Sequence, residues 1–466
     1  MRRLVVLLAV CLFALPGAGA GAVVGPQELT ITASDGTPLA CALVEPDGKP
    51  PASGWPGVLL FHGLGGRHQD MEPIATGSLA PAGYASLMCD ARGQGASGGT
   101  FGLDGPRDVQ DVRELFTWLA QRPKVSDTQI GAFGISLGGG AVWNAAAAGV
   151  PFKAIVPAIT WTDLTSALAP QGLSKSGLVA LLAQQVPQER WDPALLAAEP
   201  ALVRSDNLAP VRAIAAPRSV RLRLGRITVP TLLLQGRHDF LFDLDQALAA
   251  YRQLKGAKRL YMGDLGHSPA PNPAAERPTY IGEAVKWFDR FLKGARNGID
   301  RAPRIELAHD PWDGTTTTYP ALPPTRVATV NFAGSSTLAL HGKVVRSARL
   351  TGGPHETFGD STVRVPYSDA VDWDRLVAVL TVAGNPTPIS AGGIKLTHAS
   401  GVATIRLMNE SVRIPAGARL TLYLAATSTP QNGNPLYLQE LQSADASITI
   451  GRATLRLSTL TRAVSR

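Results

Sequence analysis

Gly134-Ile135-Ser136-Leu137-Gly138 sets one hydroxyl between two glycines. The apolar run "QIGAF" precedes it, and a stretch of small and apolar residues, "GGAVWNAAAA", follows. A strand, a G-x-S-x-G turn and a helix in that order form the context of a nucleophile elbow, which holds a serine above the end of a sheet. A phosphate loop would need Gly-Lys-Ser/Thr, and no lysine is present. A dinucleotide fingerprint would need a first strand–helix unit and an acidic residue about twenty positions on, and neither fits. A serine becomes a useful nucleophile only beside a base that is itself oriented by a carboxylate. For an elbow serine the chain order is Ser, then Asp or Glu, then His. "LLLQGRHDFLF" supplies Asp239 at the end of one apolar run, and "LYMGDLGHSP" supplies His267 at the end of the next. The expected roles are Ser136 as nucleophile, His267 as general base and then acid, and Asp239 as partner of the imidazole. Asp243, Asp245 and Asp264 are alternative acids, and His238, next to Asp239, is expected to point elsewhere.

Negative charge developing on a substrate carbonyl needs donors already in place. The N–H of Leu137, after the nucleophile, would be one; the N–H of Leu64, turned toward the site by His62-Gly63 in "LLFHGLGGRH", would be the other. His62 is expected to hold that loop. In "CDARGQGASGG", Asp90 and Arg92 are expected to form a supporting ion pair beneath the site. Trp161 is expected to border the substrate pocket as an apolar wall, with an ordinary core position as the alternative.

These residues need a frame. From about 55 to 295, short continuous apolar runs ("GVLLFHG", "YASLMCDARG", "FKAIVPAIT", "VPTLLLQGRHD") alternate with helical spacings. Val109, Val112, Leu115, Phe116 and Leu119 mark one such helix; Ile281, Val285, Phe288, Phe291 and Leu292 mark another. Continuous apolar strands alternating with helices imply a doubly wound α/β domain with a mainly parallel sheet. "ELTITASDGTPLACALVEP" reads as a hairpin turning at Asp35-Gly36. Residues 162–226 lack strand patterns and read as a helical cap. From 299 to 466 the chain becomes β-rich, with segments such as "STVRVPYS", "RLVAVLTV" and "ARLTLYLAAT", which suggests a β-sandwich or jelly roll. The Thr315–Thr318 run is expected to be a loop. The expected organisation is thus a leader over 1–22, an α/β catalytic domain over 23–298 and the β-domain over 299–466.

The 466 residues carry a formal net charge of +8 with no run of five or six basic residues, so a nucleic-acid surface is not expected. The first residues, "MRRLVVLLAVCLFALPGAGAGA", have two arginines, a short apolar stretch from Leu4 to Leu15 and small residues at Ala18, Ala20 and Ala22. That is the form of an export signal, which implies a secreted or cell-envelope protein with no stable membrane insertion after cleavage. Loss of Arg2 and Arg3 would lower the formal charge to +6. Cys41 and Cys89 would remain; both lie in apolar runs and are expected as separate buried thiols, although an oxidising compartment permits a disulfide.

The motifs "HGLGG", "DARGQGASGG", "GISLGG", "GRHDFLF", "LGH" and "WFDRFLKG", with "WDRLVAVLTV" and "VRIPAGARLTLYL" downstream, resemble the α/β-hydrolases of the X-prolyl dipeptidyl-peptidase and cocaine-esterase group. The resemblance spans most of residues 30 to 430. It implies a serine hydrolase for ester or amide bonds that uses Ser136, Asp239 and His267, with no metal and no organic cofactor. Members of that group commonly offer a tyrosine hydroxyl from the loop after the third strand; here that loop is "HGLGG", which leaves Leu64 as the substitute donor and carries no mark of a site for a free α-amine. The expected partner is a small ester or peptide substrate. An esterase is the leading expectation and removal of X-Pro dipeptides the close alternative. A surface binding protein with an inactive hydrolase domain is the reading from another class. Oligomeric state is left open by the sequence.

Overall fold

The computed structural model describes residues 25–428 and 436–463; the expected leader lies outside them. Ten strands form one sheet: β1 (Gln27–Thr32), β2 (Pro38–Val44), β3 (Trp55–Phe61), β4 (Ala85–Cys89), β5 (Val125–Ile135), β6 (Ile155–Ala158), β7 (Thr231–Gly236), β8 (Lys258–Gly263), β9 (Ile305–Ala308) and β10 (Thr316–Tyr319). Their order is β1-β2-β4-β3-β5-β6-β7-β8-β9-β10. The block from β4 to β9 is parallel, and β1, β2 and β10 run antiparallel at the two edges.

The central strands are buried on both faces because alternate side chains face opposite ways. In β3, Leu59 and Phe61 enter the core under the helix Pro106–Ala120, with Val112, Leu115 and Leu119. Val58 and Leu60 enter the opposite core under Arg277–Leu292, with Trp287, Phe288 and Leu292. The hairpin turns at Asp35-Gly36 as expected. Gly36 has φ +84° and the Asp35 side chain accepts the Thr37 N–H at 3.1 Å.

The expected domain boundary at 298/299 does not match this sheet, which continues through β9 and β10. The Thr run expected as a loop is part of the edge strand β10, paired with β9. Four-residue strands bury too little to leave a pattern, and a run of threonine suits an edge as well as a loop.

The two cysteines also depart from expectation. β2 lies antiparallel beside β4 with Cys41 directly opposite Cys89, and the two form a disulfide. The sequence separation of 48 hides this neighbourhood, which the β1–β2 hairpin creates by folding back on the parallel sheet. Closing a loop of that length constrains the unfolded chain by about 4 kcal/mol in the chain-entropy model. Replacing both cysteines by alanine is therefore expected to lower Tm by roughly 5 °C. A melting scan beside the native chain checks this, and an unchanged Tm contradicts a folded-state disulfide.

Between β6 and β7 the cap runs through helices Leu164–Leu168, Ser176–Ala183, Pro193–Arg204 and Ala209–Ala215. Asp163 and Asp192 cap the first and third by accepting N–H groups of Ser166 and Ala194. From Thr325 onward the described residues form strands and no helix. A six-stranded and a four-stranded antiparallel sheet enclose a core that includes Val363, Leu376, Leu380, Ile405, Leu422 and Leu455. A smaller apolar cluster joins the units: Leu173 of the cap, Phe240 after β7, and Val377, Val379 and Met408 of the β-domain. The β-domain therefore supports the loop that carries Asp239.

Candidate active site

Ser136 sits between β5 and the helix Leu137–Ala147 with φ 56° and ψ −113°, a conformation that costs a side-chain-bearing residue about 1–3 kcal/mol. The flanking glycines make this turn possible through close approach. A Cβ on Gly134 would lie 2.1 Å from the Gly138 carbonyl oxygen, and one on Gly138 would lie 2.2 Å from that of Phe61. Ser136 N–H donates to Ala158 O at 2.9 Å, and Gly138 N–H donates to His62 O at 3.0 Å, tying the elbow to both neighbouring strand ends.

His267 follows β8. Its loop is closed by Asn272, which accepts the Gly266 N–H at 2.9 Å and donates back to Gly266 O at 2.8 Å. The imidazole Nε2 lies 2.9 Å from Ser136 Oγ, and Nδ1 lies 2.9 Å from Asp239 Oδ2. Asp239 is fully buried and receives four N–H groups. Oδ2 takes the main chain and Nδ1 of His267, while Oδ1 takes the main-chain N–H of Leu241 and Phe242 at 2.9 and 3.0 Å. Burial pushes this carboxyl up, but the adjacent imidazole and these donors outweigh it and hold the group below the usual carboxylate range. The structure thus brings together the three residues expected from order alone, from the ends of β5, β7 and β8.

None of the alternative acids touches His267. Asp243 accepts the Asn409 N–H at 3.0 Å, and burial beside Asp245 pushes its carboxyl up to about 7. Asp245 pairs with Arg406. Asp264 faces Arg237 at 3.8 Å, and burial raises its carboxyl to about 7. His238 turns away to Pro388 O at 3.0 Å, where burial lowers its imidazole to about 4.

The loop after β3 is fixed as expected by His62. Ala91 N–H donates to Nε2 at 2.9 Å, so Nδ1 carries the proton and donates to Gly63 O at 2.6 Å. Burial lowers this imidazole and keeps it neutral. Gln94 accepts the Gly65 N–H at 2.7 Å. A Cβ on Gly63 would lie 3.7 Å from the Ser136 Cβ, so this loop borders the nucleophile. Among the described residues the Leu64 N–H donates to no acceptor, and Leu137 opens its helix, where an N–H has no intrahelical partner.

Two expectations fail here. Arg92 does not pair with Asp90. It donates from Nε and Nη2 to Asp111 at 2.7 and 2.8 Å and pairs with Asp35 at 3.0 Å. Asp90 instead accepts the main-chain N–H groups of His68 and Ala96. Residues two apart on a tight turn diverge, so each found a partner on another element. Trp161 does not line the pocket. Its Nε1 donates to Arg218 O at 2.7 Å and its ring packs against Phe242 at 5.3 Å. Phe242 in turn meets the His267 ring edge-on at 5.2 Å. Trp161 therefore backs the residue that backs the imidazole.

The pocket is an apolar cavity of about 110 Å3 beneath the cap, with Leu64, Leu103, Leu164, Val179, Trp191 and Ile214 among its walls and Glu199 as its one charged lining residue. Leu64 links the cavity to the loop that borders Ser136, and Leu137, Leu241 and Phe242 belong to the same apolar cluster as its walls; Ser136 and His267 themselves are not among its lining residues. Among the described residues, Glu28, His68 and Glu72 have potential metal-ligand atoms within 4.8 Å of one another, and His68 there is bonded to Asp90 and Glu28. Sequence reading missed Phe242, although it stands in the quoted "GRHDFLF". It also missed Glu410 of the β-domain, which accepts the Asp239 N–H at 2.9 Å and has no sequence signal.

A Ser–His–Asp array on the strand ends of a mainly parallel sheet, followed by an all-β domain of antiparallel sheets, defines an α/β-hydrolase with an added β-domain. The family model for X-Pro dipeptidyl-peptidase (S15 family) matches residues 35–269, half of the chain, and the chain belongs to that family. The cocaine esterase of Rhodococcus sp. is 28% identical over 275 residues, 48% of this chain and 47% of that one. An uncharacterized 31.7 kDa protein of Escherichia coli is 32% identical over 109 residues, 23% of this chain and 38% of that one. The chain thus spans less than half the length of these curated relatives. In overall fold it is similar to a CocE/NonD family hydrolase from Staphylococcus aureus, with a TM-score of 0.72, 14% identity and 93% of each chain covered.

Proposed function

We propose that the protein is an exported serine hydrolase that cleaves carboxylic esters through an acyl-Ser136 intermediate. The observation that carries this reading is the chain Ser136 Oγ, His267 Nε2, His267 Nδ1, Asp239 Oδ2 with both links at 2.9 Å, beside an apolar cavity. Ser136 Oγ attacks the carbonyl carbon as His267 Nε2 takes its proton, and the buried Asp239 carboxylate stabilises the imidazolium. The oxyanion meets the N–H groups of Leu64 and Leu137. Collapse of the tetrahedral species breaks the C–O bond, and the leaving alcohol takes the proton from His267. Water, activated by the same imidazole, then releases the acid. Export is supported by the pattern of residues 1–22 and by the Cys41–Cys89 disulfide, a bond that persists in oxidising compartments.

The cavity sets the acyl preference. An apolar cavity of ~150 Å3 holds benzene, so one of about 110 Å3 fits an acyl chain of roughly four to six carbons. Each methylene buried contributes ~0.8 kcal/mol, or roughly fourfold in kcat/KM, until the cavity is full. A p-nitrophenyl ester series from two to twelve carbons is therefore expected to rise, peak and fall. A flat series contradicts the assignment of the cavity as the acyl site. Removal of X-Pro dipeptides is the second reading, favoured by the family match and by Glu199, the one carboxylate on the cavity wall. X-Pro anilides assayed beside the esters separate the two. Anilide turnover above ester turnover would replace the esterase reading, and Glu199→Gln should then raise KM for the anilide alone.

A further inference from the structure

The acid loop after β7 is clamped by parts of the chain far from it in sequence. Residues Asn409, Glu410 and Ser411 of the β-domain run alongside it. Ser411 N–H donates to Arg237 O at 2.6 Å, Arg237 Nε donates to Ser411 O at 2.8 Å, and Leu244 N–H donates to Asn409 O at 3.0 Å. At the centre, Glu410 Oε2 accepts the Asp239 N–H at 2.9 Å. The Glu410 side chain is 2% exposed, and its Oε1 has no hydrogen-bond partner. From the other side the buried Lys175 of the cap donates through Nζ to Phe240 O at 2.8 Å and Leu241 O at 2.9 Å. Gln235 donates to Phe242 O at 2.6 Å. The main chain from 239 to 242 is thereby held on its N–H and carbonyl groups alike.

We propose that Glu410 is a positioning residue of the hydrolase triad, supplied by the β-domain: its carboxyl fixes the Asp239 main chain and, through it, the angle at which Asp239 meets His267. The proposal rests on the triad reading above. Its physical basis is that Asp239 is fully buried. An apolar residue at 410 would leave this N–H without an acceptor, and the peptide would have to turn to find one. Burial, with the Asp243 and Asp239 carboxylates nearby, pushes the Glu410 carboxyl well above its usual range. A shift of about 1 Å in a reacting geometry costs on the order of a hundredfold in rate.

The test uses the full chain with Glu410→Met, Glu410→Gln and Glu410→Asp, assayed for kcat and KM on a p-nitrophenyl ester, with a melting curve for each. Glu410→Met fills the volume without an acceptor, and its kcat is expected to fall about 30- to 100-fold with KM within twofold. Glu410→Gln keeps an acceptor oxygen of the same reach and is expected to restore kcat to within about threefold of the native chain. Glu410→Asp draws the acceptor back by one methylene and should fall between them. A folded Met variant with native kcat overturns the proposal, as do equal losses for Met and Gln. Where the Met variant melts below the assay temperature, native kcat in the Asp variant overturns it. Ser136→Ala separates the two levels. Turnover surviving in that variant sinks the triad reading itself, whereas an inactive Ser136→Ala beside a fully active Met variant sinks the Glu410 proposal alone.

Discussion

Ser136→Ala is expected to lower ester turnover by about a millionfold, the loss typical of removing an elbow nucleophile, and to end covalent labelling by a fluorophosphonate. The side chain is half-buried and, among the described residues, its hydroxyl bonds His267 alone, so the melting temperature should stay within about 2 °C of the native value. The backbone adds a second arm to the experiment. At φ 56° and ψ −113°, alanine suffers the same strain as serine, whereas glycine suffers none. Ser136→Gly, equally inactive, is expected to be the most stable of the three proteins, by about 1–2 kcal/mol. Labelling that persists in Ser136→Ala would mean another nucleophile. A glycine variant less stable than the alanine one would mean that the turn is not strained.

Asp239→Asn is expected to reduce kcat about ten-thousandfold with a small change in KM. The carboxylate accepts four N–H groups, two on each oxygen. An asparagine has one acceptor oxygen, so its amide N–H2 must face either His267 or the N–H groups of Leu241 and Phe242. In the first case the imidazole is driven to the wrong tautomer. In the second the loop opens, with two buried donors orphaned at about 1–3 kcal/mol each. The acid stability of the two proteins should differ as well. Asp239 titrates below its ordinary range in the folded chain, so its contribution is in place above the unfolded carboxylate pKa and is lost as pH falls through the lowered native value. The variant lacks that limb, and its melting temperature should depend less on pH in acid. Steady-state kinetics with melting curves on the acid side check both claims. Should Asp243→Asn or Asp245→Asn prove the crippling change instead, the acid has been misassigned.

The parts of this protein that the sequence determined by itself are those whose signals are local. The elbow is legible because strand, turn and helix follow one another without a break from Val125 to Ala147, and the turn tolerates only glycine at 134 and 138. Asp239 and His267 are legible because each ends an apolar run, and parallel strands bring such ends to one edge of the sheet. The change from α/β to β texture is legible as a change in spacing. The tertiary structure alone decided what lies between distant segments. It paired Cys41 with Cys89 by folding a hairpin back on the sheet, and it carried the sheet past the expected boundary through β9 and β10. It gave Arg92 to Asp111 and withdrew Trp161 from the pocket wall to stand behind Phe242. It brought Glu410 across 171 positions to the Asp239 peptide. The physical reason is common to all of these. A buried polar group or thiol is satisfied by whatever neighbour the packed layers present, and which neighbour that is depends on how the layers are stacked.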